Sequence, residues 1–445
     1  MAILLQFLIH WRGEKDPGYS KPFRQLEFES ALAAELGLLS IPVRFVNALN
    51  YTGDEAMIDM NIDHFNEAMQ FVSFGDDSIT VSMDDIIRTV QRCSLVSGLY
   101  EIVASSDSLD DLAPRAIENG GFSDLLKGAA NEKATWCFRA RSYGARPYNA
   151  DDKVQDAKSS KKGRTKRYSS RTRSMQIEKD GLKALTSLLI QFGGKVDLVN
   201  PDYKIYIFDG LEDETSDDDC SKILARRIAS GPQSYSIAPT ERICITNTPL
   251  EPIAAFVLCN IARIKNYDKV LDMYAGSCAT LLAAAMIAPD CESVGVEIAH
   301  NGYVNRTNII LDFISRSLKE PKELILGDST DLVVREAAKA AVNNESFDII
   351  IADPPYGIRE SVGYNENSPL EEMFAAIAFD RSDKRLLKLG GRLVAFVPVT
   401  DEQVFTEMLP SQELTEKAGL KFEDSREQPL NTKLSRWLVS YVSVS

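Results

Sequence analysis

The segment FDIIIADPPYG at residues 347–357 contains the residues that first indicate chemistry. A run of isoleucines, typical of a buried strand, ends in an acid, two prolines and a tyrosine. The Asp353 carboxylate and the Pro354 carbonyl could each accept one N–H of an exocyclic amino group, which would aim the nitrogen lone pair at an electrophile. Pro354 and Pro355 restrict the backbone, and Tyr356 offers a ring on which a flipped base can stack. The segment favours transfer to a base amine over a plain Pro-Pro turn with a core tyrosine.

Three earlier apolar runs also end in acids: Asp272 after KVL, Glu297 after SVGV and Asp328 after LILG. In a doubly wound sheet, ligands bind at the carboxyl ends of the strands. Gly276 follows in the first strand-to-helix turn, where a glycine allows close approach of a ligand to the backbone. Glu297 lies 25 residues after Asp272, near the spacing of about 20 at which an acid accepts hydrogen bonds from ribose hydroxyls. The pattern predicts a cofactor that contains a nucleoside.

The first turn decides which cofactor is expected. It is DMYAGSCAT, with one usable glycine instead of the three of a GxGxxG motif, so a pyrophosphate has no cradle. S-adenosylmethionine contains adenosine without phosphate and fits better. We expect Glu297 to bind its ribose, Asp328 its adenine amino group, and the turn from Asp272 through Tyr274 to Gly276 its methionine end. The alternative is a Rossmann-like domain that binds nothing.

The order of apolar runs predicts an α/β protein with three domains. After Thr240, Val/Ile/Leu-rich runs alternate with amphipathic segments, which is typical of a parallel sheet covered by helices on both faces. The preceding residues contain two smaller sets of alternating strands and helices. We therefore expect small α+β domains at residues 1–110 and 111–235, and a Rossmann-like domain at residues 236–445.

Charge is distributed unevenly along the chain. The net charge is −15, yet residues 133–173 contain thirteen basic and three acidic residues. A concentrated basic segment can bind a polyanion even in an acidic protein; the alternative is a solvated insertion or a localisation signal. The candidate RNA-binding residues are Arg139, Arg141, Arg146, Lys161, Lys162, Arg164, Lys166 and Arg167.

Other classes of protein receive little support. The seven cysteines form no CxxC pair, and the three histidines lack a matching ligand cluster, so we expect reduced cysteines and no metal site. No window holds the roughly 18 apolar residues that a membrane span needs. The apolar N-terminal stretch has no basic leader and no cleavage site, which favours a core strand over a signal peptide and predicts an intracellular protein.

Beyond DPPY, the sequence resembles a known family, the catalytic subunit of the eukaryotic tRNA guanosine-10 N2-methyltransferase. The resemblance lies in ADPPYGIRE, in GDSTD at 327–331, in GKVDLVNPD at 194–202, in NTPLEPIAAFVLCNIARI, in SLVSGLYEI and in REQPLNTKLSRWLVSY. It implies a ferredoxin-like domain and a THUMP RNA-binding domain ahead of a class I methyltransferase. It also implies tRNA as substrate and a small zinc-binding activator subunit as partner. We expect a cytoplasmic location. The chain departs from the family at Cys278, where a second glycine is expected.

Two other functions stay open at this point. DPPY alone is shared with adenine-N6 and cytosine-N4 DNA methyltransferases, so one alternative is an adenine-specific methyltransferase that acts on DNA or another RNA. The altered first turn would suit a catalytically silent RNA-binding scaffold, whereas the retained DPPY segment argues against one. The sequence does not determine the target nucleotide, the subset of tRNAs, mono- versus dimethylation, or whether the chain acts without an activator.

Overall fold

The computed structural model describes residues 6–13, 20–47, 68–75, 79–127, 132–142, 170–211, 222–246, 249–298, 304–356, 368–379 and 385–444. These residues form two compact units. The first comprises Met1–Lys15, Pro42–Val81 and Val96–Ser230, and the second Asp16–Ile41, Ser82–Leu95 and Gly231–Ser445. No helix in the described ranges is long and apolar enough to cross a membrane.

The first 230 residues contain, in chain order, β1 (Gln6–Trp11), α1 (Arg24–Leu36), β2 (Val43–Asn47), β3 (Met69–Phe74), α2 (Met83–Arg92), β4 (Val96–Ser106), α3 (Leu109–Glu118), β5 (Thr135–Ser142), α4 (Ser170–Ala184), α5 (Thr186–Leu189), β6 (Lys195–Val196), β7 (Tyr203–Asp209) and β8 (Lys222–Ala229).

The first unit is built on an eight-stranded sheet in the order β2-β3-β1-β4-β8-β7-β5-β6. Strand β5 runs parallel to β6 and β7, and the other described pairs are antiparallel. One face carries a core that includes Leu112 of α3, Phe138 of β5 and Ile207 of β7. Strands from both predicted N-terminal domains share this sheet. The assignment of these domains as ferredoxin-like and THUMP-like stays a prediction.

Helices α1 and α2 group with the second unit, although the sequence suggested a continuous domain over residues 1–110. A buried polar contact holds α1 there. The Glu27 carboxylate accepts hydrogen bonds from the backbone amides of Ser94 (2.8 Å) and Leu95 (2.9 Å) and from the side chain of Asn260 (2.9 Å). A buried carboxylate needs such donors, so Glu27 fixes α1 against the C-terminal part of the chain.

The C-terminal part contains α6 (Pro252–Ile261), β9 (Lys269–Asp272), α7 (Ala279–Ile287), β10 (Glu292–Glu297), α8 (Arg306–Ile314), β11 (Glu323–Leu326), α9 (Leu332–Ala341), β12 (Phe347–Ala352), α10 (Pro369–Phe379), β13 (Leu387–Thr400), α11 (Gln412–Ala418), β14 (Leu420–Asn431) and β15 (Leu434–Ser443).

The second unit has a seven-stranded sheet in the order β11-β10-β9-β12-β13-β15-β14. Strands β9 to β13 are mutually parallel, whereas β15 runs antiparallel to both β13 and β14. The predicted doubly wound α/β arrangement is therefore confirmed. The strand order reverses between β9 and β12, and in open α/β sheets this reversal is where ligands bind. Asp272 ends β9, and Asp353 directly follows β12.

Candidate active site

The DPPY residues lie where the apolar run predicts, at the carboxyl end of β12. Its burial pattern shows a strand covered on both faces, as expected for a central parallel strand. The Tyr356 hydroxyl donates a hydrogen bond to the Asp353 carboxylate at 2.8 Å. Burial raises the pKa of Tyr356, and the negative charge of Asp353 acts in the same direction. The phenol therefore stays protonated and remains a donor that orients Asp353.

Asp272 is fully buried at the end of the neighbouring strand β9. Its carboxylate accepts hydrogen bonds from the Tyr274 amide (2.9 Å) and from the Thr280 hydroxyl. Burial raises the pKa of Asp272 to about 7, and the charges of Asp353 and Glu297 also raise it, while the two hydrogen bonds lower it. Asp272 therefore changes charge near neutral pH, and its protonation responds to charges brought into the site.

Glu297 ends β10 and reaches the turn that follows β9. Its carboxylate accepts a hydrogen bond from the Gly276 amide at 2.8 Å. Gly276 has a φ of +52°, and an added Cβ would meet only Thr246 Cγ2, at 3.6 Å, among the atoms within 4 Å. The glycine is thus required by backbone conformation rather than by lack of space. This hydrogen bond joins the turn after β9 to the end of β10.

Asp328 lies in the loop after β11, and its side chain is hydrogen-bonded to Thr330 of the same loop. Its carboxylate accepts hydrogen bonds from the Thr330 amide (2.8 Å) and hydroxyl (2.7 Å). The Tyr274 hydroxyl, whose pKa is raised by burial, is hydrogen-bonded to the side chain of Ser329. Tyr274 therefore connects the first turn to the loop that carries Asp328.

This arrangement suits S-adenosylmethionine. The side chains at the strand ends are carboxylates, which accept hydrogen bonds from ribose hydroxyls and from the adenine amino group, and which also stabilise a cation. Glu297 and Asp328 are the candidates for the adenosine, and the turn from Asp272 to Gly276 for the charged methionine end. No group of three or more His, Cys, Asp or Glu residues in the described ranges could hold a metal ion.

A buried ion pair that the sequence did not reveal holds the first turn in place. The Arg242 guanidinium donates to the Ser277 hydroxyl (3.1 Å) and to the Ser277 carbonyl. Its Nε lies 3.4 Å from the Asp312 carboxylate, and both side chains are buried. Asp312 also accepts the amides of Ile243 (2.8 Å) and Cys244 (3.0 Å). The segment before α6 is therefore fixed against the turn between β9 and α7.

The predicted RNA-binding residues fall in the first unit or outside the described residues. Arg139 and Arg141 lie on β5, on the face opposite the core residue Phe138. Lys204 of β7 pairs with Cys137 of β5, so it lies on the same face as Arg139. On its other side, Lys204 lies directly opposite Arg227 of β8. The sheet thus places four basic residues, two of which were not predicted, on the face that also carries the buried Tyr206 and Phe208. Arg146, Lys161, Lys162, Arg164, Lys166 and Arg167 lie outside the described residues.

Comparison with known proteins also indicates a methyltransferase. Residues 239–423 match the family UPF0020, described as an RMKL-like methyltransferase domain. The chain is 27% identical over 312 residues to tRNA (guanine(10)-N(2))-methyltransferase TRMT11 of Rattus norvegicus, an alignment that covers 60% of this chain and 63% of the relative. It is 26% identical over 208 residues to human U6 snRNA (guanine-N(2))-methyltransferase THUMPD2, covering 47% of this chain and 34% of the relative.

The chain thus spans less than two thirds of the length of these curated relatives. Among solved structures, TrmN from Thermus thermophilus aligns with a TM-score of 0.44 and 17% identity, covering 99% of this chain and 100% of that one. The resemblance inferred from the motifs is confirmed by the similarity to TRMT11.

Proposed function

We propose that this chain transfers a methyl group from S-adenosylmethionine to the exocyclic N2 amine of guanosine 10 in tRNA. The observation that carries the proposal is the Asp353–Tyr356 pair at the switch point of the sheet, next to Asp272 and Glu297. The similarity to TRMT11 and the methyltransferase match over residues 239–423 support it.

The proposed mechanism gives a role to Asp353, Pro354 and Tyr356 of the DPPY segment. When bound, S-adenosylmethionine supplies an electrophilic methyl group on a sulfonium. Asp353 accepts one N–H of the guanine amine and the Pro354 carbonyl accepts the other, which counters delocalisation of the nitrogen lone pair into the ring. As the N–C bond forms and the S–C bond to the methyl group breaks, which leaves S-adenosylhomocysteine, the Asp353 carboxylate takes the proton that leaves the nitrogen. Tyr356 keeps this carboxylate oriented through its hydroxyl and presents its ring to the flipped base.

Binding of tRNA is assigned to the first unit and to the basic segment. Arg139, Arg141, Lys204 and Arg227 share one face of the sheet, and clustered basic side chains neutralise backbone phosphates. Lys204 lies opposite Arg227, whose guanidinium donates to the Ser97 carbonyl at 2.7 Å. The partner in this proposal is the small zinc-binding activator subunit that the family resemblance implies, and the location is the cytoplasm.

The test uses the purified full chain, alone and with the activator, on unmodified tRNA and on the same tRNA carrying adenosine at position 10. Nucleoside mass spectrometry should detect N2-methylguanosine only in the first tRNA. Methyladenosine in DNA or another RNA would favour the adenine-N6 alternative. Binding of tRNA without any methyl transfer, with or without activator, would favour the silent scaffold.

A further inference from the structure

Arg436 is a buried cation on β15, the strand next to β13 in the sheet of the second unit. It is 5% exposed. Its Nε donates to the Gln428 side chain at 2.6 Å, one of its terminal nitrogens pairs with the Glu251 carboxylate, and the guanidinium carbon lies 4.4 Å from the Phe396 ring centroid. A buried charge persists only when it is paired and hydrogen-bonded. These three contacts hold the guanidinium in one position.

Strand β13 lies between β12 and β15, and Arg436 is paired with Pro398 of β13. The Arg436 charge and a hydrogen bond from its side chain both lower the pKa of Tyr356, so the guanidinium faces the Tyr356 hydroxyl. Because the Tyr356 hydroxyl donates its proton to Asp353, its oxygen can accept from Arg436. The contacts therefore form a continuous chain from Glu251 through Arg436 and Tyr356 to Asp353. All four residues belong to the C-terminal unit.

This chain of contacts has two physical consequences at the site. A phenol that accepts from a cation donates more strongly to its own acceptor, because successive hydrogen bonds polarise one another. A hydroxyl fixed on both sides also fixes the plane of the Tyr356 ring and the rotamer of Asp353. Arginine suits the position because its planar fork carries five donors, whereas lysine offers three donors on one flexible ammonium.

We infer that Arg436 is a positioning residue for methyl transfer, which acts through the Tyr356 hydroxyl to orient the Asp353 carboxylate. The inference rests on the proposed function, because it concerns the same carboxylate. A positioning role differs from a role in cofactor binding. Loss of the contact between Arg436 and Tyr356 should lower kcat while leaving the affinity for S-adenosylmethionine nearly unchanged.

The test is a double-mutant cycle on the full chain with its activator, read as kcat at saturating tRNA and cofactor. Arg436→Lys alone should lower kcat by roughly tenfold to a hundredfold, the range expected when a reacting group is misplaced by about 1 Å. Tyr356→Phe should also lower kcat. In the Tyr356→Phe background, Arg436→Lys should change kcat by less than about threefold, since residues that act as one unit are not additive. Multiplicative losses would overturn the inference.

A matched control is available on the adjacent strand. Arg392 of β13 is also buried and paired with a carboxylate, that of Glu423. Arg392→Lys makes the same chemical change, and its effect on kcat should be equal in the wild-type and Tyr356→Phe backgrounds. A non-additive Arg392→Lys would mean that any loss of a buried arginine gives the same result, which would also overturn the inference.

A readout that needs no substrate separates this inference from the proposed function. The carbon-13 resonance of Tyr356 Cζ, assigned with Tyr356→Phe, reports on hydrogen bonding of the hydroxyl. It should move in Arg436→Lys and stay in place in Arg392→Lys. If the wild-type chain methylates no tRNA, the proposed function fails, and this resonance still decides whether Arg436 acts on Tyr356: an unmoved signal overturns the contact.

Discussion

Cofactor affinity should depend on pH through a single buried carboxyl group, Asp272. Burial raises its pKa to about 7, and the charges of Asp353 and Glu297 contribute in the same direction. S-adenosylmethionine carries a sulfonium and an ammonium, and cations stabilise the charged form of a nearby carboxyl group. Binding of the cofactor should therefore lower the pKa of Asp272 and release a proton.

The size of the effect follows from that pKa. If Asp272 is ionised in the complex, the apparent affinity scales with the fraction of free protein in which Asp272 is ionised. For a pKa of about 7, that fraction is about nine tenths at pH 8, one half at pH 7 and one tenth at pH 6. The dissociation constant should thus rise about tenfold between pH 8 and pH 6.

Titration calorimetry at pH 6, 7 and 8 measures this directly, and buffers of different ionisation enthalpy count the released protons. Asp272→Asn is the matched control, since the amide keeps the size of the side chain but does not titrate. The amino group of the cofactor titrates equally with both proteins, so the difference between them isolates Asp272. A wild-type dissociation constant that changes less than twofold, or an equal pH dependence in Asp272→Asn, would refute the reasoning.

Four further outcomes are expected. Asp353→Ala should lower kcat by about 10²- to 10³-fold with cofactor affinity within twofold, because it removes an acceptor used in the transition state; activity near wild type would remove Asp353 from the mechanism. Glu297→Ala should weaken cofactor binding by roughly 1.5 to 3 kcal/mol, measured by calorimetry, since the ribose loses a charged acceptor. The contribution of Asp272 to the unfolding free energy should fall as pH rises from about 4 to 7, because its folded-state pKa of about 7 lies above the ordinary value of 3.8, and Asp272→Asn should flatten this slope in denaturant titrations. Binding of tRNA should lose up to about 0.9 log units of salt slope per lost duplex phosphate contact when serine replaces Lys161, Lys162, Arg164, Lys166 and Arg167; a wild-type slope would identify a solvated insertion.

The sequence was sufficient to predict the C-terminal sheet and the acids at its edge. Each of Asp272, Glu297 and Asp353 follows an apolar run whose length and composition indicate a buried parallel strand. The carboxyl ends of parallel strands meet at one edge, so the position of each acid along the chain fixes its place in the fold. The hydrogen bond from Gly276 to Glu297 and the electrostatic coupling of Asp272 to Asp353 follow from this topology.

The supporting contacts could not be predicted in the same way. Arg242 lies in a stretch before α6 and β9, where a charged residue is typical of a solvated loop, yet its side chain is buried against Ser277 and Asp312. Glu27 lies 233 positions before its partner Asn260. No local periodicity encodes such pairs, because they arise only when separate elements pack together.

Cys278 shows how a departure from the expected motif is accommodated. It adopts a left-handed conformation, with φ +63° and ψ +34°, directly before α7, so the backbone of the turn is the one a glycine would adopt. A non-glycine residue in this region costs about 1 to 2 kcal/mol. The thiol side chain is 1% exposed, and its burial offsets part of that cost, while Arg242 holds the preceding Ser277 through its hydroxyl and carbonyl. S-adenosylmethionine, the ligand expected here, has no phosphate that must approach the backbone. The turn therefore needs the left-handed conformation and not a second glycine, and Cys278 supplies that conformation.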